Sequence, residues 1–278
     1  MKLSFNRRFL ALLVALTLIL GMFIMPQITP AKADTLPTDR YYDYSDGIAL
    51  AAESETINYA RKETTNYELP YGVPSYYPVD MLNACGPVAG GIVVGYYDKY
   101  FENLIPNFTA YFAVNGRYRG MNSNYVLPML QEMYTLMRTN VDDVGVSQAD
   151  CLNGLETFVE NKGLSLTYSS VKSSTFIDSA YINAINNMQP VLIFAESIDL
   201  YGLYVYDGYD YFSFLQSSQA HIVVGYGYRT IRYYDANDNL FRTDNYLMVS
   251  SGWSSHSLGF VKVNNSSWMN AAYAVEVN

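Results

Sequence analysis

The chain has 278 residues, 50% of them hydrophobic and 15% charged, with 26 acidic and 17 basic side chains and a net charge of −9. So much apolar material excludes an intrinsically disordered polymer, and the acidic balance excludes the basic footprint that nucleic-acid binding requires. Residues 1–33 carry four of the basic residues and none of the acidic ones, so a chain beginning at Asp34 has net charge −13, a poor match for an anionic bilayer.

Those first 33 residues read as a secretory signal. Lys2, Arg7 and Arg8 precede an apolar run over 9–25, and Ala31-Lys32-Ala33 has the small-x-small form that signal peptidase cuts. The expected product is a secreted protein, extracellular or in the cell wall, with no membrane contact after cleavage near Ala33. An uncleaved anchor is the alternative, since the run sits at the short edge of a membrane span. Residues 34–66 are polar, with an amphipathic stretch around 48–61, and read as a propeptide or a packed N-terminal arm. Residues 67–278 read as the main domain.

That domain opens with an extended lead punctuated by Pro70, Pro74 and Pro78. Helical patterns follow at about 87–103, 126–139, 148–162 and 174–187. Ser147 is placed to cap the third of these, Asp150 occupies the capping-box position, and Gly163 ends it. From Gln189 the periodicity changes to strands: Pro190 to Phe194, His221 to Tyr228, Tyr246 to Ser250, Phe260 to Val263 and Tyr273 to Val277. The fold class is therefore α+β, with a helical half before a sheet half.

Chemistry concentrates at Cys85. The segment Asn83-Ala84-Cys85-Gly86-Pro87 leads into an apolar run over 88–97, and proline favours the first helical turn. A cysteine at such a helix start meets unpaired N–H groups and the positive end of the macrodipole, which favour its thiolate. His221, 136 residues on, is the candidate base. With two cysteines in a secreted chain, a Cys85–Cys151 disulfide is the competing reading; Cys151 also fits as a small buried hydrophobe inside the third helix. His221 has its own structural alternative, a satisfied histidine in a half-buried strand. The two histidines and two cysteines lack paired-ligand spacing, so neither zinc nor any other cofactor is expected. Asp235-Ala236-Asn237-Asp238-Asn239 starts like a calcium loop but has Leu240 where glycine is required, and reads as a hairpin turn. His256 reads as a loop residue. Tyrosines at 201, 204, 206, 209 and 211 suit a hairpin or an aromatic wall for a ligand.

Cys-Gly-Pro-x-Ala at a helix start resembles the papain-like cysteine peptidases. The likeness is greatest to their bacterial secreted branch, which includes double-glycine leader (bacteriocin-processing) peptidase-like and streptopain-like domains. His221 with Gly227-Tyr228 is similar to that family's histidine strand. Gln189-Pro190-Val191 resembles the strand before it, and Ser250-Ser251-Gly252-Trp253 the Asn-containing corner after it. The resemblance spans roughly 67–278 and implies a papain-like fold, with Cys85 on the helical half packed against an antiparallel sheet that carries His221. It also implies thiol hydrolysis of a peptide, protein or cell-wall peptide substrate through a Cys85 thioester. The family's upstream oxyanion glutamine is missing, with Pro78 and Val79 in its place. Asn83 is the candidate donor, or else a turn or helix-cap residue. The imidazole-orienting position aligns with Ser250, which performs that role weakly, yields it to Asp244, Asn245 or Asp235, or marks a degenerate site. A catalytically inert secreted or surface binding domain on the same fold is the second functional reading.

Overall fold

The computed structural model describes residues 48–49, 54–112, 116–141, 145–176, 178–206, 209–217, 219–263 and 268–278. The signal-like segment lies outside them. Helix α1 (Cys85–Tyr97) has every residue after Cys85 buried. A helix apolar on all faces has no solvent side, and this one forms the centre of the main core. It begins two residues before Pro87, which still falls in the first turn, where an N–H has no intrahelical acceptor. It ends at Tyr97, short of the predicted 103. Asp98, 5% exposed, turns the chain there by accepting the N–H groups of Ile105 (3.0 Å) and Ala110 (2.9 Å). Burial pushes the Asp98 carboxyl up to about 6, against the pull of those two hydrogen bonds.

Helices α2 (Val126–Leu136), α3 (Gln148–Asn161) and α4 (Asp178–Asn186) complete the helices of the described residues. The α3 cap is as the sequence predicts: Ser147 Oγ accepts from Asp150 N at 3.0 Å, and Gly163 follows the helix at φ 79°. Helices α2 and α3 approach closely through Gly154. A Cβ built there would lie 2.7 Å from both the backbone N and the Cα of Met137. Gly154→Ala is therefore expected to lower the free energy of unfolding by about 2–3 kcal/mol, since backbone rather than a side-chain tip must move. A urea midpoint equal to wild type would show that the contact yields freely.

The strands are β1 (Ile48–Ala49), β2 (Ser54–Ile57), β3 (Arg61–Glu68), β4 (Tyr111–Phe112), β5 (Arg117–Tyr118), β6 (Leu166–Ser170), β7 (Val191–Ala195), β8 (Ile198–Tyr206), β9 (Tyr209–Ser217), β10 (His221–Tyr234), β11 (Leu240–Ser250), β12 (Leu258–Lys262) and β13 (Met269–Val277). All but β4 and β5, which pair with each other, join one antiparallel sheet. Its path runs β1-β9-β8-β12-β11-β10-β7-β13-β6, with β2 on β9 and β3 on β10. The class is α+β, and the tyrosine-rich segment is the β8–β9 hairpin.

Strand β10 organises the sheet. One edge pairs with β11 from Val224 to Tyr234; the other pairs first with β7, over His221 to Gly225, and then with β3, over Gly227 to Tyr234. Gly227 marks the changeover, where a Cβ would lie 2.6 Å from the Tyr67 carbonyl. Strand β3 spans residue 67, so residues 61–66 pair within the sheet. Ile57 is buried with Ile231, Tyr233 and Tyr246 in a second small core. Lys62 Nζ contacts the fully buried Asp210 carboxylate at 2.5 Å, and Tyr59 and Tyr233 donate to the same group.

Candidate functional site

Cys85 is the first residue of α1, partly buried against the core, and α1 packs on β10. The residues flanking Cys85 explain its close fit. A Cβ on Gly86 would lie 2.4 Å from Val146 Cγ1 and 3.6 Å from Cys151 Sγ, so only glycine lets the helix start seat this deeply. The two cysteines are not joined in a disulfide. Cys151 is fully buried inside α3, and burial raises its thiol pKa far above the ordinary range. It packs as a small core hydrophobe.

His221 opens β10, opposite Ala195 of β7. Its Nε2 lies 2.7 Å from the backbone carbonyl oxygen of Ser251. A carbonyl only accepts, so Nε2 carries the proton and Nδ1 is the ring's basic atom. Trp253 stacks on the imidazole at 4.8 Å between centroids and 25° between planes. Burial lowers the His221 pKa to about 4, and the Ser251 hydrogen bond only partly opposes the shift. The ring is therefore a neutral base at pH 7.

The corner that aims the Ser251 carbonyl is tied by its own side chains. Ser251 Oγ accepts from Trp253 N at 3.0 Å and donates to the His256 carbonyl at 2.6 Å, while Ser251 N donates to the Ser257 carbonyl at 2.9 Å. Gly252 sits at φ 77°, a conformation that favours glycine. Here the sequence expectation is corrected. Ser250 is fully buried, and its hydroxyl donates to the Pro74 carbonyl at 3.4 Å rather than to the imidazole. Strand alternation turns neighbouring residues to opposite faces, and the imidazole's partner is the next residue's main chain.

None of the named substitutes meets His221 either. Asp244 is held by Arg242, Lys262 and Tyr246 opposite Ile231, ten residues along β10. Asn245 accepts from Thr230, and Asp235 caps the β10–β11 turn through Asn237 and Asn239. Asn83 lines the site at φ 55°, the left-handed conformation of a turn, and its Nδ2 donates to Asn140 Oδ1 at 2.5 Å. Half-buried His256 lends its carbonyl to the corner.

Cys85 and His221 line one cleft of about 540 Å³, a size suited to a short peptide or small ligand. Val146, Phe194, Ile222 and Trp253 form apolar parts of its wall, while Gln148, Gln219 and Asn270 are polar residues that sequence reasoning missed. Only Asn270 had a structural signal: the β13–β7 register shifts between Met269 and Ala271, leaving Asn270 as the extra residue of a bulge. Among the described residues, no group of three or more His, Cys, Asp or Glu is placed to hold a metal ion, and no helix is long and apolar enough to cross a membrane. The arrangement offers a thiol at a helix N-terminus and an oriented neutral imidazole on a shared cleft. No protein-family model and no curated protein matches the chain.

Proposed function

We propose that the protein is a papain-like thiol hydrolase that cleaves peptide bonds, with Cys85 as nucleophile and His221 as its base. The supporting observation is that both residues line one cleft while a main-chain carbonyl fixes the imidazole tautomer. In the proposed cycle His221 Nδ1 takes the Cys85 thiol proton as sulfur bonds to the substrate carbonyl carbon. Donors at the start of α1 stabilise the oxyanion. The C–N bond then breaks, and the amine leaves with the proton held on Nδ1. Water, deprotonated by the same nitrogen, hydrolyses the thioester. An oxyanion contact from Asn83 would use the second hydrogen of Nδ2, the first being given to Asn140. Secretion, and with it a peptide or cell-wall substrate outside the cell, rests on residues 1–33.

The second reading, an inert binding domain, is favoured by one observation: the imidazole has a neutral carbonyl partner instead of a carboxylate or side-chain amide. One experiment separates the two. The purified protein and its Cys85→Ala variant are incubated with a proteome-derived peptide library, and new N-termini are mapped by mass spectrometry. Cleavage by wild type alone is the expected result; identical peptide profiles would leave the binding reading.

A further inference from the structure

Carboxylates outnumber basic side chains 26 to 17 in the chain, and none of the 17 described residues lining the cleft is Asp, Glu, Lys or Arg. His221 is neutral there, so the cleft offers a substrate charge no opposite partner. An ion docked there gives up part of its hydration without gaining a counter-charge, whereas a peptide main chain needs only neutral donors and acceptors. Those are present. Gln148 Nε2 donates to Tyr273 Oη at 2.7 Å, an anchor that fixes the amide and leaves its oxygen as an acceptor. Asn270 is exposed and lines the same cleft, from the bulge in β13. A regular strand would alternate Met269 and Asn270 to opposite faces; the bulge re-aims one side chain, a device common beside active sites.

We propose that the cleft takes an extended peptide with uncharged residues on either side of the scissile bond, and that Asn270 is the residue that sets this charge selection. The substrate class rests on the hydrolase reading; the role of Asn270 in the cleft does not. Asn270 meets neither charge with an opposite one, so both signs of substrate side chain are rejected by lack of a partner.

The test uses Asn270→Asp and Asn270→Lys, with two readouts. In the first, matched peptides carry Ala, Lys or Asp beside the cleaved bond. Wild type is expected to cut the Ala peptide at least about tenfold faster than either charged one. Asn270→Asp should restore the Lys peptide by about fivefold and Asn270→Lys should do the same for the Asp peptide. In the second, Cys85 is alkylated with neutral iodoacetamide and anionic iodoacetate. The iodoacetate-to-iodoacetamide rate ratio should fall about fivefold in Asn270→Asp and rise about as much in Asn270→Lys. If no peptide is cut in a Cys85-dependent way, the hydrolase reading fails while the alkylation ratio still decides the place of Asn270. Equal cutting of charged and neutral peptides would overturn the substrate class, and an unchanged ratio in both variants would overturn the role of Asn270.

Discussion

His221→Ala is expected to lower Cys85-dependent hydrolysis by at least about 10³-fold, whereas Ser250→Ala leaves it within about threefold. The first loss follows from the proposed cycle, in which one nitrogen takes the thiol proton, returns it to the amine and later activates water. The second follows from geometry: the Ser250 hydroxyl is spent on Pro74, and the imidazole is held by the Ser251 carbonyl. Gly252→Ala should fall between them. It strains a φ of 77° and sets a Cβ 3.0 Å from Val88 Cγ1, so the carbonyl beside it shifts and the imidazole loses its fixed tautomer. The pH profile carries a further signature. A carbonyl supplies no charge to stabilise imidazolium, so the base form of His221 persists to about pH 4 and the acid limb of kcat/KM should centre near there. A limb near pH 6.5, the ordinary histidine value, would mean that a negative partner forms or that the ring is solvated in the working enzyme.

How much of this was legible depends on what each feature is made of. Helix α1 was visible because an unbroken apolar run behind a proline has few other outcomes. Its early end was not, because Asp98 acts through main-chain groups seven and twelve residues away. Five strands from Val191 onward, β7 and β10 to β13, were legible as short apolar runs, and β8–β9 only as a tyrosine-rich hairpin. Strand β3 was missed for the opposite reason: nearly all its side chains are exposed, so it shows no alternation. Its place comes from main-chain pairing with β10, and its burial anchor is Lys62 on Asp210, a contact between residues 148 apart in sequence.

The site divides in the same way. Cys85 and His221 were singled out by residue type and context, and the structure brings both to one cleft. The imidazole's partner is the main chain one residue after Ser250, and a search for a side-chain acceptor cannot see a carbonyl aimed by a glycine. Asn270 was invisible because a bulge is a property of register between two strands, and register is not written in either strand alone.

Trp253→Ala is expected to cost about 3–5 kcal/mol of stability at pH 7, the usual loss for a large buried aromatic. Trp253 is 3% exposed, and its ring covers one face of the His221 imidazole. Its removal therefore acts differently at different pH. In the wild type the folded His221 pKa, about 4, lies below the unfolded value near 6.5. Between those values the unfolded chain binds a proton that the folded chain does not. The histidine's contribution is thus complete above pH 6.5 and is lost as pH falls towards 4, by about 3 kcal/mol in all. With Trp253 gone, water reaches the ring, the folded pKa returns towards 6.5, and that loss disappears. The cost of Trp253→Ala should accordingly shrink by about 2–3 kcal/mol between pH 7 and pH 4, measured by urea unfolding at both. Asp98 has the opposite sign, its raised pKa favouring the fold as pH falls, but it is common to both proteins and cancels in the difference. A cost that stays constant with pH would show that His221 is not shielded by this ring, and the pH 4 limb of activity would lose its physical basis as well.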